Sequence, residues 1–242
     1  MALISVRQLH VEGRVAEVSF ALERGEMLGV IGPNGSGKST LLQTLAGILP
    51  VQGDIVFEGH ALGAISPRHR AQGIGLLPQS CESAWSLSVE DVVALGRLAW
   101  DDEDAAAIEA AIDQAGVREL LGRKVDQLSG GERARVWLAR VLAGQPRLLL
   151  ADEPIASLDL FYQRSVMNVL RHYASAGQGV IVAIHDLGLA ARYCDKLCLM
   201  QRGRVYASGT PEAVLTEANL SEVFKVPVHV DLHSTPPVIA AM

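Results

Sequence analysis

The run Gly32-Pro33-Asn34-Gly35-Ser36-Gly37-Lys38-Ser39-Thr40 has the residue types and spacing of a phosphate cradle. It fits G-x-x-x-x-G-K-[ST] between a predicted strand and a predicted helix. The glycines let successive backbone N–H groups converge on phosphate oxygens at the positive N-terminus of a helix. Lys38 adds a point charge for the β- and γ-phosphates. Ser39 offers a hydroxyl ligand for Mg²⁺. A Gly-rich turn with a solvated lysine is the competing reading. Glycines and hydroxyls at the right offsets after a strand argue against it.

A phosphate cradle needs a metal carboxylate and a group that directs water. Leu148-Leu149-Leu150-Ala151-Asp152-Glu153 supplies both. Four apolar residues bury a strand and deliver Asp152 to its C-terminal end, to hold Mg²⁺ directly or through one of its ligands. Glu153 follows as general base or water-positioning carboxylate. Alone, an apolar run followed by two acids is an ordinary strand end; the phosphate loop upstream changes its weight. Leu128-Ser129-Gly130-Gly131-Glu132 is the third element. Locally it is a helix start, with Ser129 as cap and Glu132 closing a capping box. Two bare glycines are costly there, and they permit close approach to an anion.

These groups must be carried by regular elements. Met27 to Ile31, Leu148 to Ala151 and Val180 to Ile184 are continuous apolar runs of strand length, which predicts fully buried strands. Polar groups follow their C-terminal ends, where open α/β sheets bind ligands. Leu41 to Ala46 reads as helix, with Gly47 near its end. Ile4 to Val11, Val15 to Leu22 and Asp54 to Glu58 resemble alternating strands, punctuated by Gly13, Gly25, Gly53 and Gly59. Val89 to Leu95, Ala105 to Ala115 and Glu132 to Ala143 read as helices. The acids Asp101 to Asp104 precede the second of these, and Gly116 suits its other end.

Composition narrows the setting. The 242 residues carry 21 Lys+Arg and 27 Asp+Glu, a formal net charge of −6. Hydrophobic residues make up 49% and aromatic residues 5%, and the mean hydropathy is +0.24. That hydropathy raises the question of a membrane span, which needs about 20 mostly apolar residues. No such run occurs, and Met1 to Val6 is too short for an export signal, with Arg7 after it rather than before. The expectation is a cytosolic chain with one substantial core. The acidic balance disfavours a nucleic-acid binder. Of Cys81, Cys194 and Cys198, the latter two could share a helix face, but two thiols make a poor zinc site. Small buried hydrophobes in a reducing compartment is the preferred reading.

Together, the phosphate loop, Leu128 to Glu132, Asp152-Glu153, Ser157-Leu158-Asp159 and His185 resemble the ABC-type ATPases in order and spacing, over nearly the whole chain. The resemblance implies an α/β P-loop NTPase core with an N-terminal antiparallel β portion and a helical insertion. It implies one domain, with 1–78 and 141–228 as nucleotide-binding core, 79–140 as helical signature-motif subdomain and 229–242 as tail. The expected ligands are ATP and Mg²⁺. Gly32, Asn34, Gly35, Ser36, Gly37, Lys38, Ser39 and Thr40 would cradle the phosphates. Ser129, Gly130, Gly131 and Asp159 would serve a head-to-tail dimer with two ATP molecules between subunits. Gln79, in Leu77-Pro78-Gln79, would sense Mg²⁺ and γ-phosphate and face the membrane partner. Glu153, His185 and Lys38 are the catalytic candidates; Ser39, Gln79 and Asp152 are those for the metal.

One phosphate loop and one signature motif make a half-unit. The absence of a span puts the permease on separate polypeptides, as in bacterial importers. Leu87 to Arg97, His185 to Tyr193 and Gly203 through Pro211 are similar to the importers of iron–siderophore complexes, haem and cobalamin. The expected partners are a second copy, two integral-membrane permease subunits and, indirectly, a substrate-binding protein, with no nucleic acid. The expected place is the cytoplasmic face of the inner membrane, peripherally. A soluble ABC ATPase of iron–sulfur assembly is the alternative. A chromosome-structure ATPase would need a long coiled-coil insertion that Thr40 to Ser129 lacks. The sequence departs from the family pattern in three places. His10 to Arg14 carries no aromatic residue to stack adenine, with His10 as a substitute. Ile155 replaces a hydroxyl residue, and Leu98-Ala99-Trp100 replaces a His/Pro-containing stretch. In the tail, His229, Asp231 and His233 alternate. A strand there would put all three on one face, as a metal site or, preferably, as a solvated face with Val228, Val230 and Leu232 packed inward.

Overall fold

A computed structural model describes residues 2–80, 86–156 and 158–242. Cys81 and Ser157, both named above, lie outside the described residues.

The continuous apolar runs become the centre of a six-stranded sheet. Its strands are β3 (Met27–Ile31), β6 (Ile74–Leu77), β7 (Leu148–Asp152), β8 (Gly179–Ala183), β9 (Lys196–Gln201) and β10 (Arg204–Gly209). The order is β10-β9-β3-β8-β7-β6. All neighbours are parallel except the β9–β10 hairpin at one edge. The side chains of each run divide between two cores with period two. Leu148, Leu150, Ile181 and Ala183 face one core; Leu149, Ala151, Val180 and Val182 face the other. Burying each such leucine, isoleucine or valine contributes about 1.5–3 kcal/mol, so the runs anchor both halves of the molecule.

On one face lies α1 (Lys38–Leu45) with an antiparallel sheet of order β2-β1-β4-β5. β1 (Ile4–Val11) and β2 (Val15–Leu22) have the bounds expected from their alternation; β4 (Gln52–Phe57) starts two residues earlier than expected, and β5 is His60–Ala61. The alternation of β1 breaks at Gln8, which sits at φ +49° where the pairing register shifts. A bulge re-aims the side chains beyond it, here His10 and Val11.

The other face carries the helices. α3 (Val89–Ala94), α4 (Ala105–Ala115) and α5 (Gly130–Ala143) pack on one another there, whereas α2 (Pro67–Gly73), which leads into β6, lies on the α1 side with Arg70 beside Gly47 and Gly73 beside Phe57. Their ends obey the signals in the sequence. Asp104 caps α4 by accepting from Ala106 and Ala107 N–H, and Gly116 closes it at φ +62°. Ser129 and Glu132 form the capping box of α5. α6 (Leu160–Ser175) was not anticipated, although Asp159 caps it and Val166, Met167, Leu170 and Ala174 form its buried stripe. α7 (Leu187–Tyr193), α8 (Pro211–Val214) and α9 (Glu217–Phe224) complete this layer. Among the described residues no helix is long and apolar enough to cross a membrane.

Two expectations are corrected. Cys194 and Cys198 share no helix face: Cys194 ends α7, Cys198 lies in β9, and they belong to opposite cores. Burial pushes both thiols up to about 12, which leaves them unreactive near neutrality. The tail strand β11 (Val228–Asp231) stops before His233 and pairs with β12 (Val238–Ala241). Asp231 accepts from the N–H groups of His233 and Ser234 at 2.9 and 3.2 Å, closing a turn. His229 pairs instead with Glu217 at 3.0 Å. Val228 is buried, and Val230 and Leu232 pack on the core. Among the described residues no group of three His, Cys, Asp or Glu is placed to hold a metal ion.

Gly96 lets the segment after α3 cross α5. A Cβ there would stand 2.0 Å from the Arg140 carbonyl oxygen. Neither backbone can yield without moving a helix. Gly96→Ala is therefore expected to cost roughly 1–3 kcal/mol, read as a lower urea midpoint with an unchanged slope.

Candidate active site

β3, β8, β7 and β6 are adjacent, parallel and in register, so the segments leaving their C-terminal ends meet at one edge. β3 delivers the phosphate loop, β8 His185, β7 Asp152 and Glu153, and β6 Gln79. Sequence order separates these groups widely; strand order brings them together.

The loop is shaped by left-handed backbone at Gly32, Gly35 and Gly37, at φ +145°, +76° and +105°. A Cβ on Gly32 would stand 2.3 Å from the Met200 carbonyl oxygen, so no side chain fits. Gly37 is the N-cap of α1, and among the described residues no side chain caps that helix terminus. Its N–H groups are thus the donors of an anion site. Lys38 is 5% exposed. Its Nζ donates to the carbonyls of Gly32 and Pro33 at 3.1 and 3.4 Å. Burial holds its pKa below the usual lysine value, against the opposing pull of Glu153 and Asp152. Ser36 Oγ is buried and has no hydrogen-bond partner among the described residues, a further polar atom in the cradle available to a ligand.

Asp152 is 4% exposed and its Oδ1 accepts from Ser39 Oγ at 3.1 Å. Burial raises its pKa above the ordinary carboxylate value, and the Ser39 hydrogen bond works against that. Glu153 adopts φ +50°, a left-handed conformation rare for its residue type. Its N–H donates to the Ala183 carbonyl at 3.1 Å. Gln79 Nε2 donates to Oε2 at 2.6 Å, and His185 Nε2 meets Oε1 at 2.5 Å. The carboxylate oxygen accepts, so Nε2 carries the imidazole proton. Lys38 Nζ stands 3.8 Å from the same Oε1. One carboxylate thus ties together loops from four strands. Ser39 Oγ, the Asp152 carboxylate and the Gln79 amide are hard oxygen donors, and that set fits Mg²⁺ completed by phosphate oxygens and water.

The cleft over the loop measures about 950 Å³ and includes Asn34 to Thr40, Gln79, Glu153 and His185 in its walls. Sequence reading missed part of the lining: Val15, Ala16, Arg202 and Gly203. The glycine turns at Gly13 and Gly203 were the available signal. Ser129, Gly130, Gly131 and Asp159 do not line this cleft. Ser129 and Gly130 are exposed at the head of α5, and Gly130 borders a separate depression shared with Gln79 and Glu153. Ser129 Oγ accepts from Glu132 N–H at 3.3 Å, and Glu132 accepts from Ser129 N–H at 2.8 Å. Those backbone and hydroxyl contacts hold the Glu132 carboxyl below its ordinary value. Asp159 is exposed and its carboxylate accepts from Tyr162 N–H at 3.0 Å.

The family model of the ABC transporter matches residues 15–156, from β2 to just past Glu153. The chain belongs to the ABC transporter family. It is 43% identical to the hemin import ATP-binding protein HmuV of Pseudomonas fluorescens (strain Pf0-1), over 96% of each chain. It is also 43% identical to HmuV of Streptomyces coelicolor, covering 93% of this chain and 84% of that one. Among solved structures, a chain of an inward-facing metal-chelate type ABC transporter superposes with a TM-score of 0.87 at 28% identity, over 100% of this chain and 98% of that one. As an ABC ATP-binding protein the chain is an ATPase, and its fold is the family's P-loop fold, with the antiparallel sheet and helical elements expected from the sequence.

In this ABC ATPase a buried carboxylate with a raised pKa costs stability while it is ionised. That cost is present above the folded-state pKa and fades as pH falls through it toward the unfolded value. Asp152→Asn keeps an oxygen acceptor for Ser39 without the charge. It is expected to raise the melting temperature at pH 7, by about 2–4 °C for each kcal/mol recovered in a chain of this size. The gap to the parent should shrink on acidification. An Asn variant melting below the parent at neutral pH would contradict the burial argument.

Proposed function

We propose that the chain is the ATP-hydrolysing subunit of a metal-chelate importer, with haem as the favoured cargo, bound peripherally to two separate permease subunits at the cytoplasmic membrane face. The observation that carries the catalytic part is the Glu153 carboxylate, fixed through both oxygens by Gln79 and His185 beside Lys38. Support for the cargo class comes from the full-length similarity to hemin import ATP-binding proteins and to a metal-chelate type transporter. The same similarity favours an importer over a soluble ATPase of iron–sulfur assembly.

In this reading the backbone N–H groups from Gly35 to Thr40, with Lys38, hold the β- and γ-phosphates. Ser39, Asp152 and Gln79 would hold Mg²⁺, whose chemistry when bound is to neutralise charge developing on the phosphate oxygens. Glu153 takes the proton of the attacking water on a carboxylate oxygen. His185 and Gln79 fix the orientation of that carboxylate, and His185 faces the γ-phosphate. Ser129, Gly130 and Gly131 serve the ATP of a second copy, because they lie outside their own cleft with Ser129 and Gly130 exposed; Asp159 lies at the same interface. Within the expected subdomain 79–140, α3, α4 and the start of α5 form the arm that carries them. Closure then depends on ATP bridging two chains, and loss of the γ-phosphate releases it.

A groove of about 670 Å³ between α2, β6 and the segment after α3 suits the permease. Ile48 and Leu98 stand in it 62% and 70% exposed. Its rim is tied by hydrogen bonds: Arg68 donates to the carbonyls of Ala99 and Trp100, and Gln72 to that of Ala99, at 2.9–3.0 Å. The Leu98-Ala99-Trp100 departure from the family pattern therefore shapes this groove.

Glu153→Gln is expected to lower turnover by roughly 10²–10⁴ and to accumulate an ATP-bound dimer in size-exclusion chromatography; hydrolysis at the parent rate would remove Glu153 from the role of base. Ser129→Arg should retain ATP binding within about twofold while the dimer disappears, since surface substitutions away from a site are near neutral. Loss of binding instead would place Ser129 in its own subunit's site. With the permease and binding protein reconstituted, haem should stimulate ATPase activity more than ferric siderophore or cobalamin.

A further inference from the structure

The cleft extends beyond the phosphate loop to the turn between β1 and β2. That far end is lined by His10, Val11, Arg14 and Val15, with Arg202 and Gly203 from the β9–β10 turn. No Phe, Tyr or Trp lines it among the described residues. Gln201 pairs with Arg204, so Arg202 and Gly203 are the whole hairpin loop. Their φ angles are +49° and +78°, the two-residue geometry that favours Asn, Asp or Gly at its first position. An arginine in that place is a local backbone cost, and such costs persist where a side chain is needed.

The turn is fastened to the site. Gly203 N–H donates to the Ser36 carbonyl at 3.0 Å, and the Gly203 carbonyl accepts from Ala16 N–H at 2.8 Å. A Cβ on Gly203 would stand 2.4 Å from the Arg14 carbonyl oxygen, and one on Gly37 would stand 3.1 Å from the same atom. The backbone of Arg14 is thus wedged between the phosphate loop and the Arg202 turn. Both arginines are exposed at the cleft. Arg14 makes no side-chain hydrogen bond or ion pair with a described residue, and Arg202 acts on Glu222 through charge alone.

We propose that Arg14 and Arg202 are positioning residues that hold the nucleobase of the bound triphosphate on their planar guanidinium groups, in place of an aromatic ring. The inference rests on the reading of the cleft as the triphosphate site. A guanidinium stacks on any π face and carries donors only. The two guanidinium groups offer no acceptor to an exocyclic amino group, and the carboxylate of Glu12 and the amides of Gln43 and Gln52 line the adjoining hollow that shares His10, Val11 and Arg14. Stacking on the guanidinium planes does not tell purine bases apart, and GTP is a substrate alongside ATP.

The test uses the full chain with Mg²⁺ and compares ATP, GTP and inorganic triphosphate, which has phosphates and no base. KM for GTP is expected within about threefold of that for ATP, as π-face stacking alone dictates. Arg14→Ala combined with Arg202→Asn should raise KM for both nucleotides roughly tenfold with a much smaller change in kcat. Asn suits the turn, so the variant should fold, and a melting temperature checks that. Inhibition by inorganic triphosphate should be unchanged. Arg202→Lys should behave like Arg202→Asn, because a point charge does not replace a plane. An unchanged KM overturns the proposal, as does an ATP preference above about thirtyfold, the range that needs hydrogen-bonded readout of the base. A parallel loss of triphosphate inhibition also overturns it, by making the arginines phosphate counter-charges. Lys38→Ala separates the two levels. If it leaves triphosphate inhibition intact, the cleft itself is misread; if it abolishes inhibition while the arginine variants match the parent, only the base contact fails.

Discussion

The site depends on one carboxylate held at the end of one buried strand. Glu153 sits in a left-handed backbone conformation, a cost of order 1–3 kcal/mol that only surrounding structure can impose. The imposing structure is the parallel register of β7 with β8, which ties Glu153 N–H to the Ala183 carbonyl. From that place its two oxygens reach Gln79 and His185, and Lys38 stands near. Each partner leaves a different strand. The side chain can meet all three only while β6, β7, β8 and β3 keep their order, and the two cores on either face of the sheet keep that order.

The parts read most surely from the sequence were those where chemistry and burial coincide. Leu148 to Ala151 is apolar because both its faces are covered, and it ends in acids because its C-terminal edge is the site. The phosphate loop was legible because its backbone forbids side chains at Gly32 and Gly37. The capping box at Ser129 was legible because capping is local. What was missed lacked a local signature. α6 begins with Leu160 and Phe161, which are exposed, so its first turn hides the stripe that starts at Val166. β12 exists only as a partner for β11, and four residues of that composition do not announce a strand. Extending β11 to His233 assumed that alternation continues; the Asp231 side chain captured the next two N–H groups and ended it.

The cleft shows the same limit at a longer range. Arg14 and Arg202 are far apart in sequence, and nothing local links them. They line one cleft because the β9–β10 hairpin lies at the sheet edge beside β3, and its turn reaches across the phosphate loop to the β1–β2 turn. A sequence can show a missing aromatic residue. It cannot show which distant side chain takes the space.

The groove and the site are joined by a very short path. Pro78 lines the groove and Gln79 lines the cleft, so adjacent residues face the two. Gln79 holds Glu153 Oε2 through a single 2.6 Å hydrogen bond. A displacement of an ångström at the end of β6 stretches that bond beyond useful geometry, whereas His185 after β8 and Lys38 on α1 are not moved by it. In the proposed reading, a permease segment seated against Ile48 and Leu98 acts on the position of Gln79 more directly than on any other site residue. The hydrolytic carboxylate is then set by two kinds of restraint. The sheet supplies a fixed one through Ala183 and His185, and the groove supplies a movable one through Gln79. That division lets a rigid phosphate site respond to a partner without loosening its core.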